Sequence, residues 1–506
     1  MGIELYPYQT KIIEEIRTRW KSGQKRILVQ SPTGSGKTVI FSWIASRGKR
    51  ILILTHRTEL LTETGGTLQD FGIVPALVTS ETRTPPQRMV AVAMSMTLKN
   101  RVKNDPWSDW LDTVELIIVD ECHQQDFDYI VDLCPDKFIL GFTATPKRKG
   151  NQRQLSDMYQ SIVTGPDVQE LINLKYLVPD RYFGAPINLK GVGKDSFGEY
   201  KSDELFNRFN TPELYTGLID NWRRLAPGSL TLVFCVNIQH CINTARAFNF
   251  AGIRAKFLTS EVARPEEGTP GYATKLAEWE NYQQSFSEMS GSRAEVINTW
   301  KSRDYDVLIN AGILTTGFNH KPIETIVINR ATTSENLWLQ IIGRGSRTSE
   351  GKTSFRIMDF GSNADRLGHY RQQREYSLTH YVSSRKDGVQ SVKDCPGCGA
   401  LVIASTRYCK YCGHEFQKTK HEKAVELVEK DFEEMRAGLA IQKQQTIEQI
   451  EIAAAVKGYK SAWIWRQIYF KFGADEFKKY MRSKNYQWPF IYRKLNEYEP
   501  VRSVRK

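Results

Sequence analysis

The sequence predicts an α/β chain. Two tandem domains with doubly wound parallel sheets occupy 1–180 and 181–385, a small zinc ribbon follows at 393–416, and a helical, basic domain closes the chain at 417–506. Three observations carry this. Short, nearly continuous apolar runs alternate with helix-like segments, as strands buried on both faces of a parallel sheet require. Several of the runs end in small or charged residues, where an open α/β sheet places its ligands. Near the carboxy terminus two CxxC pairs precede a stretch dense in cations and aromatic rings.

Composition limits the function classes. A chain of 506 residues is too long for one ordinary core, and 40% hydrophobic with 25% charged residues reads as globular. Seventy Lys and Arg against 57 Asp and Glu leave a formal +13, which favours a polyanionic partner. No run of about eighteen apolar residues occurs, and the start at Met1-Gly2-Ile3-Glu4 lacks a charged-then-apolar leader, so the expectation is a cytoplasmic protein with no membrane partner. Cys122, Cys134, Cys235 and Cys241 are scattered among apolar neighbours and are expected to be reduced and buried.

The first element is a helix with Ile12, Ile13 and Ile16 on one face, entered through Leu5-Tyr6-Pro7-Tyr8-Gln9. The Gln9 amide offers one donor and one acceptor, the pair that an adenine edge needs. Ile27-Leu-Val29, then Ser-Pro-Thr-Gly-Ser-Gly-Lys-Thr from Ser31 to Thr38, then Val39-Ile-Phe-Ser-Trp-Ile44 read as strand, turn and helix: a P-loop. Backbone N–H groups around Gly34, Ser35 and Gly36 can cradle phosphate oxygens, Lys37 supplies a point charge on the β- and γ-phosphates, and the Thr38 hydroxyl suits magnesium. The strict pattern has glycine where Ser31 stands, so partner motifs are required. Buried strands follow at Ile51-Leu-Ile-Leu54, Val90-Ala-Val-Ala93 and Leu116-Ile-Ile-Val119, ending in Thr55-His56-Arg57, Ser95-Met96-Thr97 and Asp120-Glu121-Cys122-His123. At the tip of the third, Asp120 can hold the magnesium ion and Glu121 can orient the attacking water.

Asp120-Glu121-Cys122-His123, followed by Thr143-Ala-Thr-Pro146, resembles motifs II and III of superfamily 2 helicases, the DEAD/DEAH-like group. Thr55-His56-Arg57 then resembles motif Ia, and Gln9 the adenine-reading glutamine upstream. The resemblance implies that Thr143 and Thr145 couple nucleotide state to nucleic-acid contact. Residues 184–228, rich in Gly, Asn and Pro, read as a linker leading into the second domain. There Leu230-Thr-Leu-Val-Phe-Cys235 resembles motif IV, and 262–292 reads as an insertion with a helix around Thr274 to Phe286. Val307-Leu-Ile-Asn310 with Gly312-Ile-Leu-Thr-Thr-Gly-Phe-Asn319 resembles motif V, except that Asn319 stands where many relatives have Asp. Gln340-Ile-Ile-Gly-Arg-Gly-Ser-Arg347 matches motif VI. Arg344 and Arg347, three apart, present two guanidinium groups on one helical face, able to stabilise charge on a γ-phosphoryl group; the family's arginine finger corresponds to Arg347. Gly317 and Gln340 are implied nucleotide contacts, and Arg57, Thr97 and Thr315 or Thr316 implied contacts to the sugar-phosphate backbone. The implied fold is a pair of RecA-like domains, with P-loop and acids on one and arginines on the other, so hydrolysis requires closure.

Cys395-Pro-Gly-Cys398, ten residues, and Cys409-Lys-Tyr-Cys412 have the spacing of a two-knuckle structural zinc site. From Lys457 to Lys506 thirteen Lys and Arg face four Asp and Glu among thirteen aromatic residues. That interleaving suits strand binding by charge and base stacking, and it equally suits a helical core of rings with a cationic surface. The expectation is an ATP-dependent helicase or translocase using ATP, Mg2+ and Zn2+ on single-stranded or branched DNA, with a protein partner at the ribbon or carboxy-terminal domain. The plan looks similar to phage and bacterial repair helicases that remodel forks and junctions. DNA is favoured over RNA because motif VI reads Gly-Arg-Gly-Ser-Arg and not the His-Arg-x-Gly-Arg of RNA-acting relatives. Two alternatives stay open: the motor subunit of a restriction or defence assembly, and a nucleic-acid-binding ATPase switch without unwinding.

Overall fold

The computed structural model describes residues 3–149, 152–185, 187–260, 262–268, 272–315, 317–378 and 461–498, with short pieces at 381–382, 392–394, 401–403, 408, 414–415, 428–430 and 447. They belong to two compact units, Met1–Asp431 and Phe432–Lys506.

The first unit contains two seven-stranded sheets. In chain order the strands of the first are β1 (Arg26–Gln30), β2 (Ile51–Thr55), β3 (Ala76–Val78), β4 (Val90–Met94), β5 (Leu116–Asp120) and β6 (Phe138–Thr143). After β7 (Arg148–Lys149), which pairs instead with Tyr381–Val382, the chain returns as β8 (Ser161–Thr164). The order across the sheet is β3-β4-β2-β5-β6-β1-β8, with every pair parallel. Period-two alternation makes both faces apolar. Leu116 and Ile118 of β5 pack with Ile12, Ile13, Ile16 and Phe41 on one side, and Ile117 and Val119 with Trp107, Trp110 and Phe127 on the other. Register then fixes the chemistry. Gln30 lies opposite Thr143 and Asp120 opposite Phe142, so the ends of β1, β6 and β5 stand side by side.

The second sheet repeats the plan with β9 (Asp180–Gly184), β10 (Thr231–Cys235), β11 (Ala255–Leu258), β12 (Val307–Asn310), β13 (Thr325–Asn329) and β14 (Phe355–Asp359). These run parallel in the order β11-β12-β10-β13-β14-β9, and Val428–Lys430 adds an antiparallel edge strand to β9. Two parallel-sheet α/β domains are therefore present, consistent with a tandem RecA-like fold. Cys122, Cys134, Cys235 and Cys241 are buried free thiols, as expected.

Two connecting regions are informative. The expected linker is in fact helical: Ser202–Phe209 and Pro212–Leu225 pack Leu205, Phe209, Leu218 and Trp222 against the second sheet. Thr211 caps the second helix by accepting the Leu214 N–H, with Pro212 at its first position, a start signal overlooked among the Gly and Asn. The insertion does carry its helix, Tyr272–Met289.

In the second unit, Ser461–Ser483 is two helices broken at Gly473 (φ 83°, ψ 176°), followed by Trp488–Tyr498. Trp465, Ile468, Phe477, Tyr480, Met481, Ile491 and Leu495 form its core. Among the described residues no helix is long and apolar enough to cross a membrane. The zinc expectation at Cys395, Cys398, Cys409 and Cys412 lies outside the described residues.

Candidate functional site

The P-loop is built from the end of β1. Ser31 N–H donates to the Thr143 carbonyl at 3.0 Å, and the loop turns through Gly34 (φ +88°) and Gly36 (φ +76°), a left-handed conformation that disfavours a side chain. Ser31, the departure from the strict pattern, has a use: its hydroxyl donates to Ser35 Oγ at 2.7 Å, and Ser35 Oγ donates to Pro32 O at 2.7 Å, bracing the turn from within. Lys37, first residue of the helix Lys37–Ala45, directs its ammonium to the carbonyls of Ser31 (3.3 Å) and Pro32 (3.5 Å), with half-buried Thr38 beside it. Gln9 is buried against the same loop, its Nε2 donating to Ser35 O at 3.3 Å while its Oε1 accepts from Tyr6 N–H at 3.0 Å. Tyr8 OH also donates to Ser35 O, at 2.6 Å. A Cβ at Gly36 would lie 2.6 Å from Gln9 Nε2, the movable end of that side chain, so the left-handed φ of +76° is what favours glycine here.

The acids follow at the end of β5. Glu121 takes φ 53°, a strained value for a side-chain-bearing residue, and its N–H donates to Asp120 Oδ1 at 3.0 Å. Burial, and then the neighbouring Glu121 carboxylate, push the Asp120 carboxyl up to about 7, with Lys37 pulling the other way. Glu121 Oε2 sits 3.4 Å from His123 Nδ1, which also meets Thr143 Oγ1 at 2.9 Å. Burial lowers His123 to about 4, so its contact with Glu121 is made by a neutral ring.

The second domain closes the cleft. A Cβ on Gly34 would lie 3.0 Å from Leu177 Cδ2, 3.6 Å from Ser346 Oγ and 3.8 Å from Arg347 Cγ, and one on Gly343 would fall 2.5 Å from Thr33 Cγ2. The P-loop and the Gln340–Arg347 segment are thus in van der Waals contact. Arg344 is buried, donating from Nε and Nη2 to Thr315 O (3.1 and 2.5 Å) and from Nη1 to Phe318 O (2.5 Å). Burial and then Arg347 pull its pKa down to about 9, while Glu63 and Glu121 of the first domain oppose that. Arg347 donates to Asn319 Oδ1, so asparagine supplies the acceptor that a carboxylate would provide in relatives. Gln340 is buried with its Nε2 lacking a hydrogen-bond partner among the described residues, and Gly317 turns at φ +64°.

Four residues were missed in the sequence. Asn336, on the helix Glu335–Ile342, accepts from Thr145 Oγ1 at 2.8 Å and meets His123 Nε2 at 2.6 Å. Its neighbour Glu335 pairs with Lys147 at 2.7 Å. Arg148 is buried beneath the Asp-Glu-Cys-His turn, bonding both Asp128 oxygens (2.7 and 2.9 Å) and the carbonyls of Cys122, His123 and Gln124. Each of these contacts joins segments distant in sequence, so no local pattern marks them.

The expected backbone contacts are less concentrated. Arg57 follows β2 and Thr97 lies on the helix Ser95–Arg101 after the adjacent β4, both half-buried. Thr315 is buried with its hydroxyl donated to Gly312 O at 2.6 Å, and its carbonyl holds Arg344. Thr316 lies outside the described residues.

Residues 2–148 match the family model described as "Type III restriction enzyme, res subunit". The chain is 24% identical over 421 residues to a 51.5 kDa protein of a Lactococcus phage, covering 80% of this chain and 82% of that protein. It is 27% identical over 385 residues to a provisionally named ATP-dependent helicase, IRC3, of Saccharomyces cerevisiae, covering 70% of this chain and 51% of the yeast protein. A fragment structure from Vibrio vulnificus, provisionally named the HsdR subunit of a type I restriction enzyme, aligns with TM-score 0.51 at 25% identity, covering 72% of this chain and 65% of that one. The chain therefore spans about half the length of the yeast relative and under two thirds of the Vibrio fragment.

Proposed function

We propose that this chain, an ATP-hydrolysing, helicase-type enzyme of superfamily 2, works as a DNA helicase or translocase that unwinds or remodels branched DNA such as forks and junctions. The observation that carries the reading is the packing of Gly34 on Ser346 and Arg347, which makes one cleft out of two domains.

Within that cleft the loop 31–38 holds the triphosphate, with Lys37 leaving the Ser31 and Pro32 carbonyls for the β- and γ-phosphates. Gln9 lies beside the loop, where it reads adenine. Thr38 and Asp120 offer oxygen donors that fit a hard divalent cation, and the buried, raised Asp120 carboxyl marks a place where added positive charge is favoured. When bound, Mg2+ supplies charge neutralisation across the phosphates. Glu121 orients the attacking water. Arg347 leaves Asn319 for the transferring phosphoryl group, and Arg344 holds motif V in register through Thr315 and Phe318. Closure then accompanies hydrolysis, and contacts on both domains step along a strand, with Arg57 and Thr97 on the first.

A second reading, the motor subunit of a restriction or defence assembly, is favoured by the restriction-subunit family match and the Vibrio fragment. One assay separates them: ATP hydrolysis and strand separation by the isolated chain on single-stranded DNA, duplex, fork, four-way junction and RNA, with Lys37→Ala as the blank. DNA-stimulated hydrolysis with fork or junction remodelling supports the first reading. Hydrolysis without remodelling contradicts the first reading and fits a motor that needs its partners or an ATPase switch, and stimulation by RNA alone rejects both DNA readings.

A further inference from the structure

Asn336 joins two groups of the first domain that no sequence motif connects to it. The amide lies at the start of the helix Glu335–Ile342, whose first turn is fixed by the Ser334 hydroxyl accepting from Leu337 N–H at 3.3 Å. From there it reaches Thr145 Oγ1 at 2.8 Å and His123 Nε2 at 2.6 Å. His123 is buried, and its other nitrogen faces Thr143 Oγ1 at 2.9 Å and Glu121 Oε2 at 3.4 Å.

The contacts to Thr143 and Asn336 fit either tautomer of the ring, and the Glu121 carboxylate favours one of them. A carboxylate oxygen beside Nδ1 repels a lone pair there and attracts an N–H, so the proton belongs on Nδ1. Nε2 is then an acceptor. It takes the Asn336 Nδ2–H, and the Gln124 amide nitrogen lies at 3.2 Å on the same side. The remaining Asn336 oxygen accepts the Thr145 hydroxyl proton, so one orientation of the amide serves both contacts.

We propose that Asn336 is a positioning residue through which the second domain, on closing, fixes the Nδ1–H tautomer of His123 and thereby aims the Glu121 carboxylate. The inference rests on the ATPase reading above. It makes Glu121 competent when the Glu335–Ile342 helix is docked, and it links the hydroxyls of Thr143 and Thr145 to the same event. Burial that keeps His123 neutral agrees with a ring that switches tautomer and not charge. Lys147 paired with Glu335 at 2.7 Å holds the helix start in place beside it.

The test uses Asn336→Asp, which keeps the size and the acceptor for Thr145 but cannot donate to Nε2. Steady-state ATP hydrolysis with single-stranded DNA is measured for the wild-type chain, Asn336→Asp, Asn336→Ala and Lys37→Ala. Both Asn336 variants are expected to lose about ten- to hundredfold in kcat, with KM for ATP changed by less than about threefold, because orientation and not binding is lost. In the wild type with an ATP analogue and DNA bound, 15N ring correlations of His123 should show an Nδ1–H tautomer, identified by its loss in His123→Gln, and Asn336→Asp should abolish that pattern. An Asp variant with wild-type kcat, or an Nε2–H pattern in the wild type, overturns the proposal while leaving the motor intact. A wild-type chain no faster than Lys37→Ala removes the ATPase reading and this proposal with it.

Discussion

Arg344 and Arg347 show how two residues of one motif diverge. Arg344 is buried with three donor contacts to the carbonyls of Thr315 and Phe318, whereas Arg347 is half-buried on Asn319 and the P-loop side. Arg344→Ala leaves Thr315 O without its guanidinium donors and Phe318 O with only the 3.4 Å contact from Arg347 Nη1, and should cost about 2–4 kcal/mol of stability as well as activity. Denaturant melts of the two alanine variants check this: the Arg344 midpoint should fall well below that of Arg347→Ala. Equal midpoints would mean that Arg344 does not anchor motif V. Both arginines were legible in the sequence because their spacing is local. Asn336 was not, since its partners His123 and Thr145 are brought to it only by domain contact.

At the scale of elements, the strand ends carry the site. The apolar runs around Leu28, Leu52, Val92 and Ile118 were legible as buried strands because parallel sheets leave almost no polar positions in them. Ile118→Ala, at a fully buried position in β5, should cost about 2–5 kcal/mol, read as a lowered unfolding midpoint. The turn after β5 depends on Arg148. Removing it leaves Asp128 and three carbonyls of the turn uncompensated, so Arg148→Ala should destabilise by about 3–5 kcal/mol, more than an exposed pair such as Arg303–Glu324 would. Equal losses from Arg148→Ala and Arg303→Ala in the same melt would contradict that ranking. The helices in 202–225 went unread because Gly, Asn and Pro around them outweighed a Thr-Pro start signal.

On the scale of the whole molecule, the carboxy-terminal unit divides its aromatic rings between a core and a surface. Trp465, Phe477 and Tyr480 are core, but Trp488 and Tyr492 are exposed and stack on each other at 5.7 Å, with Arg482 over the Trp488 ring at 5.3 Å. Rings that are stacked, exposed and flanked by a guanidinium suit a base, so Trp488→Ala should weaken single-stranded DNA binding by about 1–3 kcal/mol without unfolding the chain. Truncation before Lys457 should also flatten the dependence of log affinity on log salt. Unchanged affinity and slope would show that this unit does not touch DNA.

The proposed function requires one catalytic cleft shared by two domains. ATP turnover by Arg347→Ala with saturating single-stranded DNA separates a shared cleft from a self-sufficient first domain, since Arg347 lies on the second domain and the phosphate loop on the first. The expected result is a loss of about a thousandfold, down to the level of Lys37→Ala. Turnover equal to wild type would show that the first domain hydrolyses ATP by itself and would contradict the shared cleft.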